Sequence, residues 1–255
     1  MRKQNKGLKL AMVLASLVIF GGIWYWFLSG SHINQMKKTE PKVQTTESTS
    51  TSTTTSQKDS DLPDVSTSDW NLVLVNREHL TEELSIDLTE VESIPVDSRI
   101  AQHLTDFLAA ARTVEASETL VSGYRSVAEQ AKLYTETLQE VMANDPSLTQ
   151  EAAEAVVQAT VQPAGASEHH TGLAVDMSNA AELNTSSEEV VAQIKALAPQ
   201  YGFILRYEES KTAITGIGYE DWHWRYVGVE SAKYMTEHNL SLEEYIALLQ
   251  EQEKK

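Results

Sequence analysis

Three side chains in this 255-residue chain have the types and spacing of a metal centre. His169 and Asp176 lie in the stretch SEHHTGLAVDM (167–177), and His223 lies in GYEDWHWRYVG (218–228). Asp176 closes an otherwise apolar run. A carboxylate buried there costs several kcal/mol unless something positive sits against it, so it is either paired or bound to a metal. On a helix, the seven positions between His169 and Asp176 would separate them by about 10 Å along the axis, too far to share one small ion. Gly172 breaks a helix at that point. A turn at Thr171-Gly172 leading into a strand sends Leu173 and Val175 to one face and Ala174 and Asp176 to the other. A histidine on the entering loop then reaches the same point.

Strand alternation in the second stretch puts Trp222, Trp224 and Tyr226 on one face and His223 and Arg225 on the other. By itself, a mid-strand imidazole between tryptophans reads as a hydrogen-bonded core residue. With His169 and Asp176 it completes two histidines and one carboxylate with a fourth position open, the ligand set of a catalytic zinc ion. Glu220, three residues earlier, could serve as the general base on the attacking water. Strict alternation points it away from His223, so the chain must bend or bulge near Tyr219 to Asp221, which Gly216 and Gly218 permit.

The elements that must position these residues are legible in outline. Apolar residues recur at helical spacing over 98–113 (Ile100, Leu104, Phe107, Leu108, Ala111). A second helix is expected over 126–144, with Ser126 and Glu129 in a capping-box pattern and Pro146 beyond its end. A third is expected over 147–161 and a fourth over 186–202, stopped at Gly202. Short strands are expected at 71–76, 119–124, 172–177, 202–207 and 222–228. Helices and strands mix without a regular βαβ rhythm, which predicts an α+β fold. Its small, largely antiparallel sheet would be flanked by helices, with the zinc site at the sheet's surface.

Composition bounds the function and the location. From Asp69 onward the chain has 12 basic against 32 acidic residues, a net of −20, which repels nucleic-acid phosphates and anionic lipid headgroups. Residues 10–28 carry no charge for nineteen positions, with Arg2, Lys3, Lys6 and Lys9 before them and Trp24, Tyr25 and Trp26 near the far end. That run is long enough to span a bilayer and reads as a retained signal-anchor, its basic flank cytoplasmic and everything after Gly30 outside. A cleaved secretory signal is the alternative, with small residues at Ser29-Gly30-Ser31. Residues 39–68 are Ser/Thr-rich without apolar periodicity, the composition of a flexible tether. The expected organisation is therefore 1–30 tail and anchor, 31–68 linker, and 69–255 folded domain. The absence of cysteine suits an exported bacterial protein without disulfides.

S-x-H-x-x-G-x-A-x-D followed about fifty residues later by E-x-W-H resembles the zinc D-Ala-D-Ala carboxypeptidases of the VanY type, which include L,D-carboxypeptidases of the same fold. SGYRS (122–126), with Gln130 five residues after Arg125, matches that family too, and the resemblance runs from roughly residue 71 to 245. It implies His169, Asp176 and His223 as zinc ligands and Glu220 as catalytic base. It also implies Arg125, Gln130 and Ser167 in the substrate pocket, where the arginine holds or polarises the peptide end. Read from physics alone, Arg125 is either a fork of donors for a terminal carboxylate or one half of a surface ion pair. His170 is expected to be a supporting or exposed neighbour. The implied function is removal of the terminal D-alanine from peptidoglycan stem peptides. L,D-cleavage of tetrapeptide stems, endopeptidase cleavage of cross-links and a non-catalytic wall-binding module remain alternatives. A monomeric enzyme on a bacterial membrane facing a Gram-positive wall is the expectation that follows.

Overall fold

The computed structural model describes residues 61–179 and 183–254; the expected anchor and most of the expected linker lie outside them. Its elements in chain order are β1 (Leu88–Val91), β2 (Ile94–Asp97), α1 (Ala101–Val114), β3 (Thr119–Ser122), α2 (Val127–Asn144) and α3 (Gln150–Val157). They continue with β4 (Ala174–Ser178), α4 (Glu188–Leu197), β5 (Phe203–Leu205), β6 (His223–Tyr226), α5 (Val229–Glu237) and α6 (Leu242–Glu253). Short 3-10 turns and a one-turn helix lie between them. β1 and β2 form a hairpin, and the other strands form a four-stranded sheet ordered β3-β4-β6-β5 with every neighbouring pair antiparallel. The fold is α+β, with small antiparallel sheets flanked by helices.

Alternation along the central strands decides what each face of the sheet does. Leu173, Val175 and Met177 of the β4 segment, Phe203 and Leu205 of β5, and Trp224 and Tyr226 of β6 enter one core cluster with Leu104, Phe107, Leu108 and Ala111 of α1. Phe107 stacks on Phe203 with ring centroids 5.0 Å apart and meets Trp224 edge-on at 5.2 Å. The intervening residues therefore point to the opposite face. There the register sets Asp176 beside His223 and Ala174 beside Arg225. A bulge in β3 shifts its pairing so that Ser122, not Val121, faces Asp176. The extra residue aims a hydroxyl at the carboxylate, and the row Ser122, Asp176, His223 crosses three strands.

The helix termini follow their caps. Ser126 and Glu129 close the expected capping box at α2. The third helix is shorter than expected. Asp145 accepts hydrogen bonds from the N–H and hydroxyl of Ser147, and Thr149 caps the N–H of Ala152, so the chain turns before the helix begins at Gln150. α4 gives way to a 3-10 turn containing Pro199, and Gly202 ends it at φ 86°. A side chain there would meet the Tyr226 ring at 2.7 Å.

Residues 71–76 do not form the expected strand. Trp70–Leu72 is a 3-10 turn, because its polar groups are claimed elsewhere: the carbonyls of Asn71 and Val73 accept from Arg225 Nη2 at 3.2 and 2.7 Å. The Asn71 amide donates to the Val227 carbonyl at 2.5 Å. Ser66 and Thr67, in the stretch read as linker, bind the carboxylate of Glu253 at the end of α6.

Candidate active site

Asp176 is the centre of the site, and each of its neighbours comes from a different element. Its Oδ2 accepts the Ser122 hydroxyl at 2.6 Å and lies 3.4 Å from His169 Nε2. Its Oδ1 lies 3.4 Å from His223 Nδ1 and, although buried, has no hydrogen-bond partner. The donor atoms of His169, Asp176 and His223 lie within 4.8 Å of one another, and all three residues are buried. Two imidazole nitrogens and a carboxylate oxygen this close, one oxygen left unsatisfied, fit a borderline-soft divalent cation such as zinc.

The two histidines present opposite ring nitrogens. His169 sits in the 3-10 turn Glu168–Thr171, which Gly172 ends at φ 66°; a Cβ at Gly172 would come within 2.8 Å of the Asp97 main-chain N. Its Nδ1 donates to the Gly123 carbonyl at 2.7 Å, which leaves the Nε2 lone pair facing Asp176. His223 faces Asp176 with Nδ1 instead, and its Nε2 lies 3.4 Å from Glu168 Oε2.

Glu220 precedes β6, and the chain bends at Asp221 and Trp222 as the sequence required. The bend brings Glu220 Oε2 to 3.6 Å from His223 Nδ1, while the Glu220 N–H is fixed to the Tyr207 carbonyl at 3.0 Å. Burial pushes its carboxyl up to about 8. His223 opposes that shift, and the negative charges of Asp176, Glu168 and Asp221 add to it. Such a group exchanges a proton near neutrality, as a general base must. Burial also raises Asp176, but His169 and His223 more than reverse this and hold it well below the carboxylate range. Asp221 has another occupation: its carboxylate accepts the N–H groups of Asn184 and Ser186, each at 2.9 Å.

Arg125 is not half of an ion pair. Among the described residues its guanidinium contacts only neutral side chains, donating from Nη1 to Gln130 Oε1 at 2.7 Å and from Nη2 to Ser122 Oγ at 3.4 Å. Because Ser122 also binds Asp176, a guanidinium in direct contact with no carboxylate among the described residues stands one serine away from the metal-competent triad. Gln130 is buried, and its amide nitrogen donates to the Gln162 carbonyl at 2.5 Å, so both ends of the side chain hold structure in place. Ser167 is buried too, its hydroxyl accepting from the His169 N–H at 3.4 Å. His170 is fully buried, not exposed. Its Nε2 accepts from the Gly165 N–H at 3.1 Å while Nδ1 donates to the Arg125 carbonyl at 2.8 Å, which ties the 163–167 loop to the backbone of Arg125.

Two contributors escape the pattern of the sequence. Ser122 falls inside SGYRS, but only the β3 bulge turns it toward Asp176. Glu168 reads as an ordinary acidic residue beside a ligand. In the fold it is buried against Arg206 and Arg225, which lie far along the chain. Burial raises its carboxyl, and those two guanidinium charges outweigh burial and hold it far below the usual range.

A family model described as VanY, D-alanyl-D-alanine carboxypeptidase, matches residues 93–229. The chain is 36% identical over 180 residues, 70% of its length, to a D-alanyl-D-alanine carboxypeptidase of Enterococcus faecalis, and spans 66% of that relative's own length, just under two thirds. It is similar to a solved structure of a Glu-to-Ala mutant of the vancomycin resistance D,D-pentapeptidase VanY from a VanB-type resistance cassette in complex with Zn(II). That match has TM-score 0.63 and 35% identity, covering 70% of this chain and 99% of that one. VanYB in complex with D-alanine-D-alanine is similar at TM-score 0.64 and 34% identity, covering 70% and 98%.

Proposed function

Since the chain belongs to the VanY family of D-alanyl-D-alanine carboxypeptidases, we propose that it is a zinc-dependent hydrolase removing the terminal D-alanine from peptidoglycan stem peptides. The observation that carries this reading is the guanidinium of Arg125, free of any carboxylate partner among the described residues and joined through Ser122 to Asp176. An exopeptidase needs a cation at a fixed distance from its hydrolytic centre to take the C-terminal carboxylate, and a planar fork of donors suits that group. The solved relatives add zinc in one case and D-alanine-D-alanine in another.

His169 through Nε2, Asp176, and His223 through Nδ1 would hold the metal. When bound, zinc acts as a Lewis acid on the scissile carbonyl and makes water a competent nucleophile at neutral pH. Glu220 takes the proton of the attacking water and returns it to the leaving amine, the two-way traffic its raised pKa suits. Arg125 fixes the terminal carboxylate and thereby which peptide bond faces Glu220. Gln130 and His170 keep the guanidinium and its backbone in place, and Ser122 holds the Asp176 carboxylate at the required angle.

Arg125→Ala should lower kcat/KM on a stem pentapeptide by about 10- to 100-fold, the worth of a hydrogen-bonded charge pair, with zinc content unchanged. A stem peptide with an amidated C-terminus should be a poor substrate of the parent protein and be affected much less by the substitution. Equal losses on both peptides would assign Arg125 to another task. Running tetrapeptide and pentapeptide stems side by side separates D,D- from L,D-cleavage.

We also propose that residues 10–28 anchor the protein in the bacterial cell membrane and that the Ser/Thr-rich stretch holds residues 69–255 outside, toward the wall. The uncharged run with its basic flank and interfacial aromatic residues supports this. The intact protein should sediment with membranes and be released when protease nicks 39–68. A mature N-terminus near residue 30 would instead mean cleavage.

A further inference from the structure

We propose that Glu168 is the residue that orients His223 toward the metal, a positioning role distinct from ligand or base. Glu168 Oε1 is taken by two arginines, Arg206 Nε at 2.8 Å and Arg225 Nη1 at 3.0 Å. Both guanidiniums are themselves immobilised. Arg206 forks onto Glu243 with bonds of 3.0 and 2.7 Å. Arg225 donates to the carbonyls of Tyr226, Asn71 and Val73. The clamp fixes the carboxylate plane and leaves Oε2 as the carboxylate oxygen that no arginine engages. That atom lies 3.4 Å from His223 Nε2. Both atoms are buried and neither makes another hydrogen bond; Arg225 Nη1, also without one, is ion-paired to Oε1, so His223 Nε2 is the donor that faces Oε2.

A proton on Nε2 shared with Glu168 leaves the lone pair of His223 on Nδ1, the nitrogen that faces Asp176 and Glu220. Glu168 cannot be a ligand itself, because it touches the far side of the ring. A carboxylate behind a metal-binding imidazole fixes its tautomer and raises its basicity, and removing such a partner typically weakens metal binding by about 10- to 100-fold. The 3-10 turn thus does two jobs at consecutive positions: His169 supplies a donor, and Glu168 aligns the donor on the opposite strand. The chain of contacts continues through Arg206 to Glu243 on α6, which ties the orientation of His223 to the C-terminal helix.

This inference rests on the metal assignment above, and its test separates the two. The zinc-loaded protein is examined by nitrogen-15 NMR of the histidine rings, and apparent zinc affinity is measured against a chromophoric chelator for the parent and for Glu168→Gln. We expect His223 protonated on Nε2 in the parent, with that proton protected from solvent exchange. In Glu168→Gln we expect faster exchange, zinc affinity weaker by about 10- to 100-fold and an altered visible spectrum when cobalt replaces zinc. A knot that served folding alone would lower the melting temperature of Glu168→Gln and leave the affinity, spectrum and exchange of its folded fraction unchanged, which would overturn the proposal. So would a parent spectrum with the His223 proton on Nδ1, a result that needs no variant to fold. A parent protein that binds no zinc would instead overturn the metal assignment itself.

Discussion

Glu220→Gln is expected to reduce turnover by about 10²-fold or more, the scale general-base catalysis supplies, while zinc stays bound and the fold survives. The substitution keeps the size and hydrogen-bonding reach of the side chain and removes only its ability to take a proton. The main-chain bond from residue 220 to Tyr207 does not depend on the carboxylate, so the bend before β6 should persist. The pH dependence carries its own sign. In the metal-free protein, burial pushes the Glu220 carboxyl up to about 8, and a dication beside it shifts that value down. The base works ionised, so kcat/KM of the loaded parent should climb with pH along a limb whose midpoint lies below 8. The residual activity of Glu220→Gln should lack that limb. Near-normal turnover by the variant would move the base elsewhere. Asp221 is then the nearest carboxylate in sequence, but it is spent on the 184–186 loop.

His223→Ala should abolish zinc binding and activity together, with D-alanine release falling to the background of a metal-free control. The side chain supplies one of three donors, and no other histidine among the described residues joins the triad. Its proton offers a second readout. In the metal-free protein burial works against the imidazolium, but the Asp176 and Glu168 carboxylates, each 3.4 Å from a ring nitrogen, outweigh it and push His223 up to about 9. A metal needs the neutral ring, so zinc binding at pH 7 should displace this proton, and apparent affinity should rise with pH until about 9. Calorimetry in buffers of different ionisation enthalpy counts the protons released. A His223→Ala protein that still held one zinc tightly would place the site elsewhere.

The parts of this site that were legible in the sequence rest on local rules. Period-two alternation sent Asp176 and His223 away from the apolar face, a capping box marked α2 at Ser126, and the need for a bend before β6 followed from Glu220 lying three residues before His223. What was not legible depends on contacts far along the chain. Glu168 is explained only by Arg206, 38 residues on, and by Arg225 on the neighbouring strand. Residues 71–76 have a strand's composition, yet their carbonyls are recruited by that same Arg225. The β1–β2 hairpin turns through Glu92 and Ser93 at φ 50° and 70°, where Asn-Gly would have announced it. The Ser241 and Glu244 capping box at α6 is, by contrast, a local signal of the same kind as the one at Ser126.

The most direct test of the account is D-alanine release from a synthetic stem pentapeptide by protein stripped with a chelator and then reloaded with zinc. The stripped protein should release none, and zinc should restore hydrolysis with free D-alanine and the shortened peptide as the products. Undiminished release by the stripped protein, or no D-alanine from either pentapeptide or tetrapeptide stems by fully zinc-loaded protein, would contradict it.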